Sequence, residues 1–408
     1  MGRERISVDE GLALIRRHVR LNPSEVIAVD DALGRVTASP VYAGRTVPAF
    51  RAAAMDGYAV RSEDVRTATA DVPIRLPVCG RASAGTWPAP LSPGAACSIG
   101  TGAPVPDGAD SVVMIEQVTM TNDRDGTSIS ITSPAKPGLN IRETGEDAVE
   151  GERVLESGKV VTPDVVAGLA AYGVSKIEVA QRAKLALIVT GSELAEASSA
   201  DCGRAGIIDS NGPMIRAYAA AIGASVLPLG TVEDAMEALD EAFDRACATE
   251  ADIVLTTGGA SHGEQDFVRT VLERRKAFVL FDGLSMRPGK PILFALLADG
   301  RPFFGLPGNP VAACIGMRFF VAQAVRVMLG LPDESGRTAD SSEAGREGTT
   351  LFLRGRAGQC ADHRLRVDTG IDQRSHILSS LIAADSWLRV DRVDGRARHL
   401  AFSKSLQL

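Results

Sequence analysis

Aromatic side chains are scarce in this sequence: Phe, Trp and Tyr together make up 4% of 408 residues. So few rings make a poor platform for stacking single-stranded bases. Positive charge is not in excess either, since 44 Lys and Arg stand against 51 Asp and Glu, for a formal net charge of −7. A nucleic-acid partner needs a broad basic surface and is disfavoured, although a local basic pocket for a small anion is not. The six cysteines, Cys79, Cys97, Cys202, Cys247, Cys314 and Cys360, form no Cys-x-x-Cys pair and none stands at zinc-ligand spacing from a histidine. They are expected to be reduced, mostly buried thiols of a cytoplasmic protein. The first residues lack an apolar run, so no signal peptide is expected. No apolar stretch is expected to span a membrane, because the best candidate, from Val311 to Leu331, is interrupted by Arg318 and Arg326. There is no Walker A motif, no Gly-x-Gly-x-x-Gly in a βα turn, no Gly-x-Ser-x-Gly elbow and no His-Glu-x-x-His.

What is present is ordinary globular material, 45% hydrophobic and 23% charged, with 41 Gly and 21 Pro marking many turns. This length predicts two to four domains. Ser7 and Glu10 form a capping box that starts a helix running to about Val19. Asp56-Gly57 has the composition of a tight turn. Short alternating runs between Val72 and Ile131 predict a small β domain, and the Gly- and Pro-rich loop from Thr101 to Asp110 lies inside it. Thr162, Pro163 and Gly173 bracket a helix. From about residue 184 to 330, strand-like runs alternate with helical ones, which predicts a largely parallel sheet. Asn309 is expected to cap the last helix of that unit, with Pro310 at its first position. Residues 332–350 turn polar and glycine-rich and read as a linker or mobile loop. A small β domain closes the chain.

Three strands of the α/β unit end in loops rich in backbone and hydroxyl donors: Thr190-Gly191-Ser192-Glu193, Thr257-Gly258-Gly259 with Ser261, His262 and Asp266, and Pro307-Gly308-Asn309. In an open parallel sheet these loops share the carboxyl edge, where such folds bind ligands. Asp209-Ser210-Asn211 precedes a helix whose amino end suits an anion. Glu193, Asp266 and Asp234 offer hard oxygen ligands beside the basic loop Arg287-Pro288-Gly289-Lys290. Together they fit either Mg²⁺ with a phosphorylated ligand or a solvated polar rim. His262 has the character of a hydrogen-bonded loop residue.

Several motifs occur in a fixed order: Ala54-Met-Asp-Gly-Tyr-Ala-Val60, Thr101-Gly-Ala-Pro-Val-Pro106, Asn140-Ile-Arg142 with Gly145-Glu-Asp147, and Thr190-Gly-Ser-Glu-Leu194. Asp209-Ser-Asn211, Thr257-Gly-Gly-Ala-Ser-His-Gly263 with Asp266, Arg287-Pro-Gly-Lys-Pro291 and Gly305-Leu-Pro-Gly-Asn-Pro-Val311 complete the series. The ordered set resembles the molybdopterin molybdenumtransferases, the family of bacterial MoeA and the gephyrin E domain. The C-terminal part matches least, through Gln373, Ser375 and His376. The resemblance implies a homodimer of elongated subunits with a doubly wound, adenylyltransferase-like α/β domain. Residues 1–46 with 137–182 would form the elongated N-terminal domain, 47–136 a small β domain, 183–330 the molybdopterin-binding domain and 331–408 a C-terminal β domain. It also implies molybdenum transfer from molybdate to adenylated molybdopterin, with Mg²⁺ present and AMP released. Transient contacts with the adenylyltransferase and with molybdoenzyme apoproteins would accompany that role.

Carried over by position, the resemblance implies catalytic roles for Asp56, Thr101, Asp147, Glu193 and Asp234. Metal contacts fall to Glu193 and Asp266. Substrate contacts fall to Thr190, Gly191, Ser210, Asn211, Gly258, Gly259, Ser261, Asp266, Arg287, Lys290, Pro307, Gly308, Asn309 and Ser375. The chain departs from the common pattern at Arg51 and Ala53, where many members carry Asp and Ser, at Ser192, where Asp is common, and at Arg287, where some carry Lys. These departures keep a non-catalytic cofactor carrier, or a divergent paralogue, as the competing reading.

Overall fold

The computed structural model describes residues 3–124, 126–195, 206–258, 267–360 and 362–404. Its largest sheet has seven strands, in the order Arg3–Ile6, Phe278–Leu284, Leu293–Leu296, Pro302–Leu306, Ile253–Thr257, Lys184–Thr190 and Ser225–Val232. Six run parallel, and Leu293–Leu296 runs against both neighbours. The expectation of a largely parallel sheet therefore holds with one reversed strand.

Both faces of this sheet are covered. Along Lys184–Thr190, Leu185, Leu187 and Val189 enter one apolar cluster while Ala186 and Ile188 enter the other. This is the alternation of a strand buried on both sides. Val8–His18, Asn211–Ala221 and the long helix starting at Pro310 cover the first face. Met236–Cys247 and Phe267–Arg274 cover the second. The capping box forms as expected: Ser7 Oγ accepts from the Glu10 amide at 3.2 Å and Glu10 Oε2 accepts from the Ser7 amide at 2.9 Å. The sequence grouped residues 1–46 with the N-terminal domain, but the first strand and helix belong to the α/β sheet. Arg3–Ile6 pairs with Phe278–Leu284, and Ile6, Val8 and Ile15 join its core.

The helix Pro310–Met328 corrects the membrane reading. It is long and apolar enough to cross a bilayer by length and composition, and 89% of its most apolar window is buried within the protein. Arg318 does not break it. The guanidinium is fully buried inside a π-helical turn, Gly316–Val321, and its two amino groups donate to Glu334 at 2.6 and 2.7 Å. Burying one charge would be costly, and the paired carboxylate offsets it. Glu334 lies in the stretch read as a mobile linker, so that reading is corrected too. Asp333 accepts from Arg16 and Gln323, both at 2.7 Å, and Arg337–Thr338 pairs with Arg396–Ser403.

Residues 24–42 return to residues 153–180 through two short antiparallel pairs, Ser24–Ala28 with Lys176–Ala180 and Val41–Tyr42 with Arg153–Leu155. The helix Pro163–Ala171 lies between them, capped by the Thr162 hydroxyl. A six-stranded sheet follows the order Ser111–Met114, Gly57–Val60, Ala96–Ile99, Ile74–Ala82, Gly126–Ile131 and Val118–Asp123. Gly57, expected in a tight turn, opens one of its inner strands. A Cβ there would lie 2.1 Å from the Val113 carbonyl oxygen, so only glycine fits. The C-terminal sheet is built on Thr350–Gln359, Ser386–Val393 and Arg396–Ser403. Five cysteines lie in the described residues and all are free. Only Cys97 and Cys314 are buried, against the expectation that most would be, and Cys202 lies outside the described residues.

Candidate active site

The parallel register brings three distant strand ends side by side. Val189 lies opposite Thr257, and Thr257 opposite Leu306. Their loops are then tied together by polar contacts. The Thr190 hydroxyl donates to the Thr257 carbonyl at 3.4 Å, the Thr257 hydroxyl to the Pro307 carbonyl at 3.4 Å, and the Gly258 amide to the Leu306 carbonyl at 3.2 Å. Asn211, at the start of its helix, reaches across with its side-chain amide to Thr257 Oγ1 at 3.0 Å and the Gly308 carbonyl at 2.8 Å. Gly258 has a φ of +90°, and a Cβ would sit 2.1 Å from the Thr190 carbonyl oxygen. Backbone conformation and space both require glycine there.

These loops wall a cleft of about 850 Å³. Of the expected residues, Thr190, Gly191, Glu193, Ser210, Asn211, Asp234, Gly258, Lys290, Pro307, Gly308 and Asn309 all line it. Gly259, Ser261 and Asp266 lie outside the described residues. Arg287 and Ser375 line an adjoining cavity of about 530 Å³, which shares Lys290, Pro291, Pro307 and Asn309 with the first. The Ser375 carbonyl accepts from the Val311 amide at 3.2 Å, tying the C-terminal unit to the first turn of the long helix. Asn309 precedes that helix but its side chain makes no capping bond, contrary to expectation.

Asp56, Thr101 and Asp147 line neither cavity. Asp56 Oδ1 accepts from the Thr101 amide at 2.7 Å and the Thr101 hydroxyl at 3.0 Å. These donors hold the carboxyl below its ordinary range. Asp147 stands beside the Tyr172 phenol, which is raised by desolvation first and by the Asp147 charge second.

In the cleft the electrostatics reverse. Asp234 is raised, first by burial and then by the charge of Glu193. Its amide donates to the Ser192 hydroxyl at 3.2 Å, which gives the departure at Ser192 a role in shaping this turn. Two hard-oxygen groups facing each other with that penalty suit a divalent cation. Among the described residues, no group of three or more His, Cys, Asp and Glu gathers at one point. Glu193 and Asp234 are two carboxylates here that could hold a divalent cation, and Mg²⁺ binds through one or two carboxylates together with waters and phosphate oxygens.

Asp209, His376 and Leu378 are among the lining positions that the residue-level reading did not assign to the site. Asp209 accepts from the Gly212 amide at 2.9 Å, so it does the capping work while Ser210 makes no side-chain cap. The Asp-x-x-Gly spacing signals this. His376 and Leu378 enter the cleft from the C-terminal unit, a long-range contact with no local signature.

Known proteins carry the same architecture. Residues 6–173 match the family described as MoeA N-terminal region (domain I and II), and residues 186–327 match the probable molybdopterin binding domain. A Bacillus subtilis molybdopterin molybdenumtransferase is 36% identical over 326 residues, covering 79% of this chain and 75% of that protein. The chain belongs to the molybdopterin molybdenumtransferase family. A Staphylococcus aureus member is also 36% identical, over 80% of this chain and 77% of its own. The molybdopterin biosynthesis MoeA protein of Pyrococcus horikoshii has a TM-score of 0.82 at 28% identity, covering 97% of this chain and 99% of that one. The family is one of transferases of molybdenum cofactor biosynthesis, and the multidomain arrangement of α/β and β sheets is that of its solved members.

Proposed function

We propose that this chain transfers molybdenum from molybdate to the dithiolene of adenylated molybdopterin, with Mg²⁺ present and AMP released. The observation that carries this reading is the polarity of the cleft, with the Glu193–Asp234 carboxylates on its wall and Lys290 where it meets the Arg287 cavity. Glu193 and Asp234 hold the cation, and Asp266 joins them. Bound there, Mg²⁺ supplies charge neutralisation for a phosphoanhydride and orients its oxygens. Lys290 and Arg287 bind the phosphate or the oxyanion, and Ser375 adds a hydroxyl. Thr190, Gly191, Ser210, Asn211, Gly258, Gly259, Ser261, Pro307, Gly308 and Asn309 shape the bed on which the substrate lies.

Asp56, Thr101 and Asp147 complete the cleft from a second copy of the chain, which makes the working unit a homodimer. We keep the four-unit division of the chain as part of this proposal, with residues 3–19 moved to the α/β unit. The protein works in the cytoplasm and hands its product to molybdoenzyme apoproteins, after transient contact with the adenylyltransferase.

The test is AMP release from adenylated molybdopterin with Mg²⁺ and molybdate, scored together with reconstitution of a molybdenum apoenzyme. Molybdate-dependent AMP release with reconstitution is expected. Tight binding with neither product would make the chain a carrier instead.

A further inference from the structure

The sequence singles out Gln373, Ser375 and His376 in the C-terminal unit, and the proposed reaction gives Gln373 no task. Gln373 lines neither the cleft nor the adjoining cavity. Ser375 lines the smaller cavity and His376 the cleft, so two consecutive residues serve the two spaces from one stretch of backbone. On the α/β side this stretch is held where the Ser375 carbonyl meets the Val311 amide. On the side of the C-terminal sheet it is held through Gln373.

The Gln373 side-chain oxygen accepts from the Arg354 amide at 3.0 Å, and its side-chain nitrogen donates to the Arg354 carbonyl at 2.8 Å. One side-chain amide thus pairs with both main-chain groups of a strand residue, as a neighbouring strand would. The same nitrogen lies 3.2 Å from the carbonyls of Thr369 and Ile371, which closes the loop on itself. The Arg354 side chain repeats the connection. It is 1% exposed, and one terminal nitrogen donates to the carbonyls of Asp372 and Arg374, on either side of Gln373, at 2.8 and 3.3 Å. Arg354 belongs to the strand Thr350–Gln359, in which Leu351 pairs with Arg287. That strand therefore carries Arg287 at Leu351 and the Ser375 segment at Arg354, about 10 Å further along.

We propose that Gln373 is a positioning residue: it touches no substrate, and it sets Ser375 in the smaller cavity and His376 in the cleft at a fixed spacing from Arg287. Two features point past a staple of the fold. The bonded carbonyls of Asp372 and Arg374 flank Gln373 and stop one residue short of Ser375. The strand that receives Gln373 also carries Arg287, so two walls of the smaller cavity share one frame. The inference rests on the reading of the two cavities as the substrate site.

Equilibrium dialysis of molybdate and of AMP against the purified full-length chain, well below its melting temperature, tests it. S375A should weaken molybdate binding alone, and H376A AMP binding alone. Q373M keeps the side-chain length and removes its hydrogen bonds. It should weaken both ligands, each about tenfold, because a small displacement of a binding group is worth factors of this order. In double-mutant cycles Q373M should add nothing to the molybdate loss of S375A or to the AMP loss of H376A, since it acts through those residues. Q373E retains the acceptor for the Arg354 amide and loses the donations, so it should lie between the parent and Q373M, and it carries the test if Q373M does not fold. Weakened binding in S375A and H376A with parent-like Q373M and Q373E would overturn the proposal. Full additivity in both cycles would make Gln373 a staple of the fold and overturn it as well. Parent-like binding in S375A, H376A and Q373M together would remove the reading of these walls as the substrate site, and the proposal with it.

Discussion

Asp56 sits on an exposed lip at the start of a strand in the six-stranded sheet, where the amide and hydroxyl of Thr101 both donate to one of its oxygens. Asp234 sits, also exposed, at the carboxyl edge of the α/β sheet, where partial desolvation and then the Glu193 charge act against its ionised form. One carboxyl is lowered and the other raised. The Asp56 charge has its hydrogen bonds already, so it is suited to holding a loop in place. The Asp234 charge is poorly served by the protein alone, so it is suited to holding a cation. The two surroundings also differ in how they are held. The Asp56 contact joins one residue to one neighbouring loop. The cleft around Asp234 is held by the polar stitching of three strand ends and the start of one helix.

The strongest way to break this contrast is Glu193→Gln. It should lower AMP release about 100-fold or more while far-ultraviolet circular dichroism stays native, because charge stabilisation at a reacting phosphate is worth factors of this size. Unaltered turnover would remove Glu193 from the cation end. The next largest effect concerns the scaffold. Gly258→Ala puts a methyl group 2.1 Å from the Thr190 carbonyl oxygen at a φ of +90°, and should destabilise the protein by about 2–4 kcal/mol in urea titration. An unshifted midpoint would mean that the loops are not locked as described.

Asp234→Asn should raise the melting temperature slightly without added cation, by about 1–3 °C, because it removes a disfavoured charge. The sign follows from linkage. A carboxyl raised in the folded state favours folding when protonated, so stability falls as pH rises from the unfolded value through the folded one. The variant should lose that fall. Asp56→Asn should show the smallest effect and the opposite sense. A lowered carboxyl contributes stability above its unfolded pKa and loses it as pH falls through the folded one, so the variant should flatten the acid limb of the stability curve. An acid limb identical to the parent's would dissociate the Thr101 contacts from the Asp56 charge.

What the sequence made legible was local. The capping box at Ser7, the Thr162 cap with Pro163, and the glycines Gly191, Gly258 and Gly308 just past three strand ends are read from adjacent residues, and they stand where expected. The reversed strand Leu293–Leu296, the first strand Arg3–Ile6 joining the α/β sheet, and the strand Gly57–Val60 depend on pairing with distant partners, which no local pattern encodes. Arg318 misled because a charge in an apolar helix implies a break unless its partner is known, and Glu334 is supplied by a loop that looks merely polar. At the cleft, the residue types were visible from the sequence. The cap at Asp209 was missed although its spacing was readable, and His376 comes from another unit of the fold.

The contrast between the two carboxylates is tested most directly by thermal melts with and without Mg²⁺ across the acid-to-neutral range, on the parent chain and on Asp234→Asn. In the parent, the gain from Mg²⁺ should grow as pH rises above the ordinary carboxylate range and the raised carboxyl ionises and becomes a ligand, and in Asp234→Asn most of it should vanish. An equal Mg²⁺ gain in both proteins at every pH would contradict the assignment of Asp234 to the cation end of the cleft.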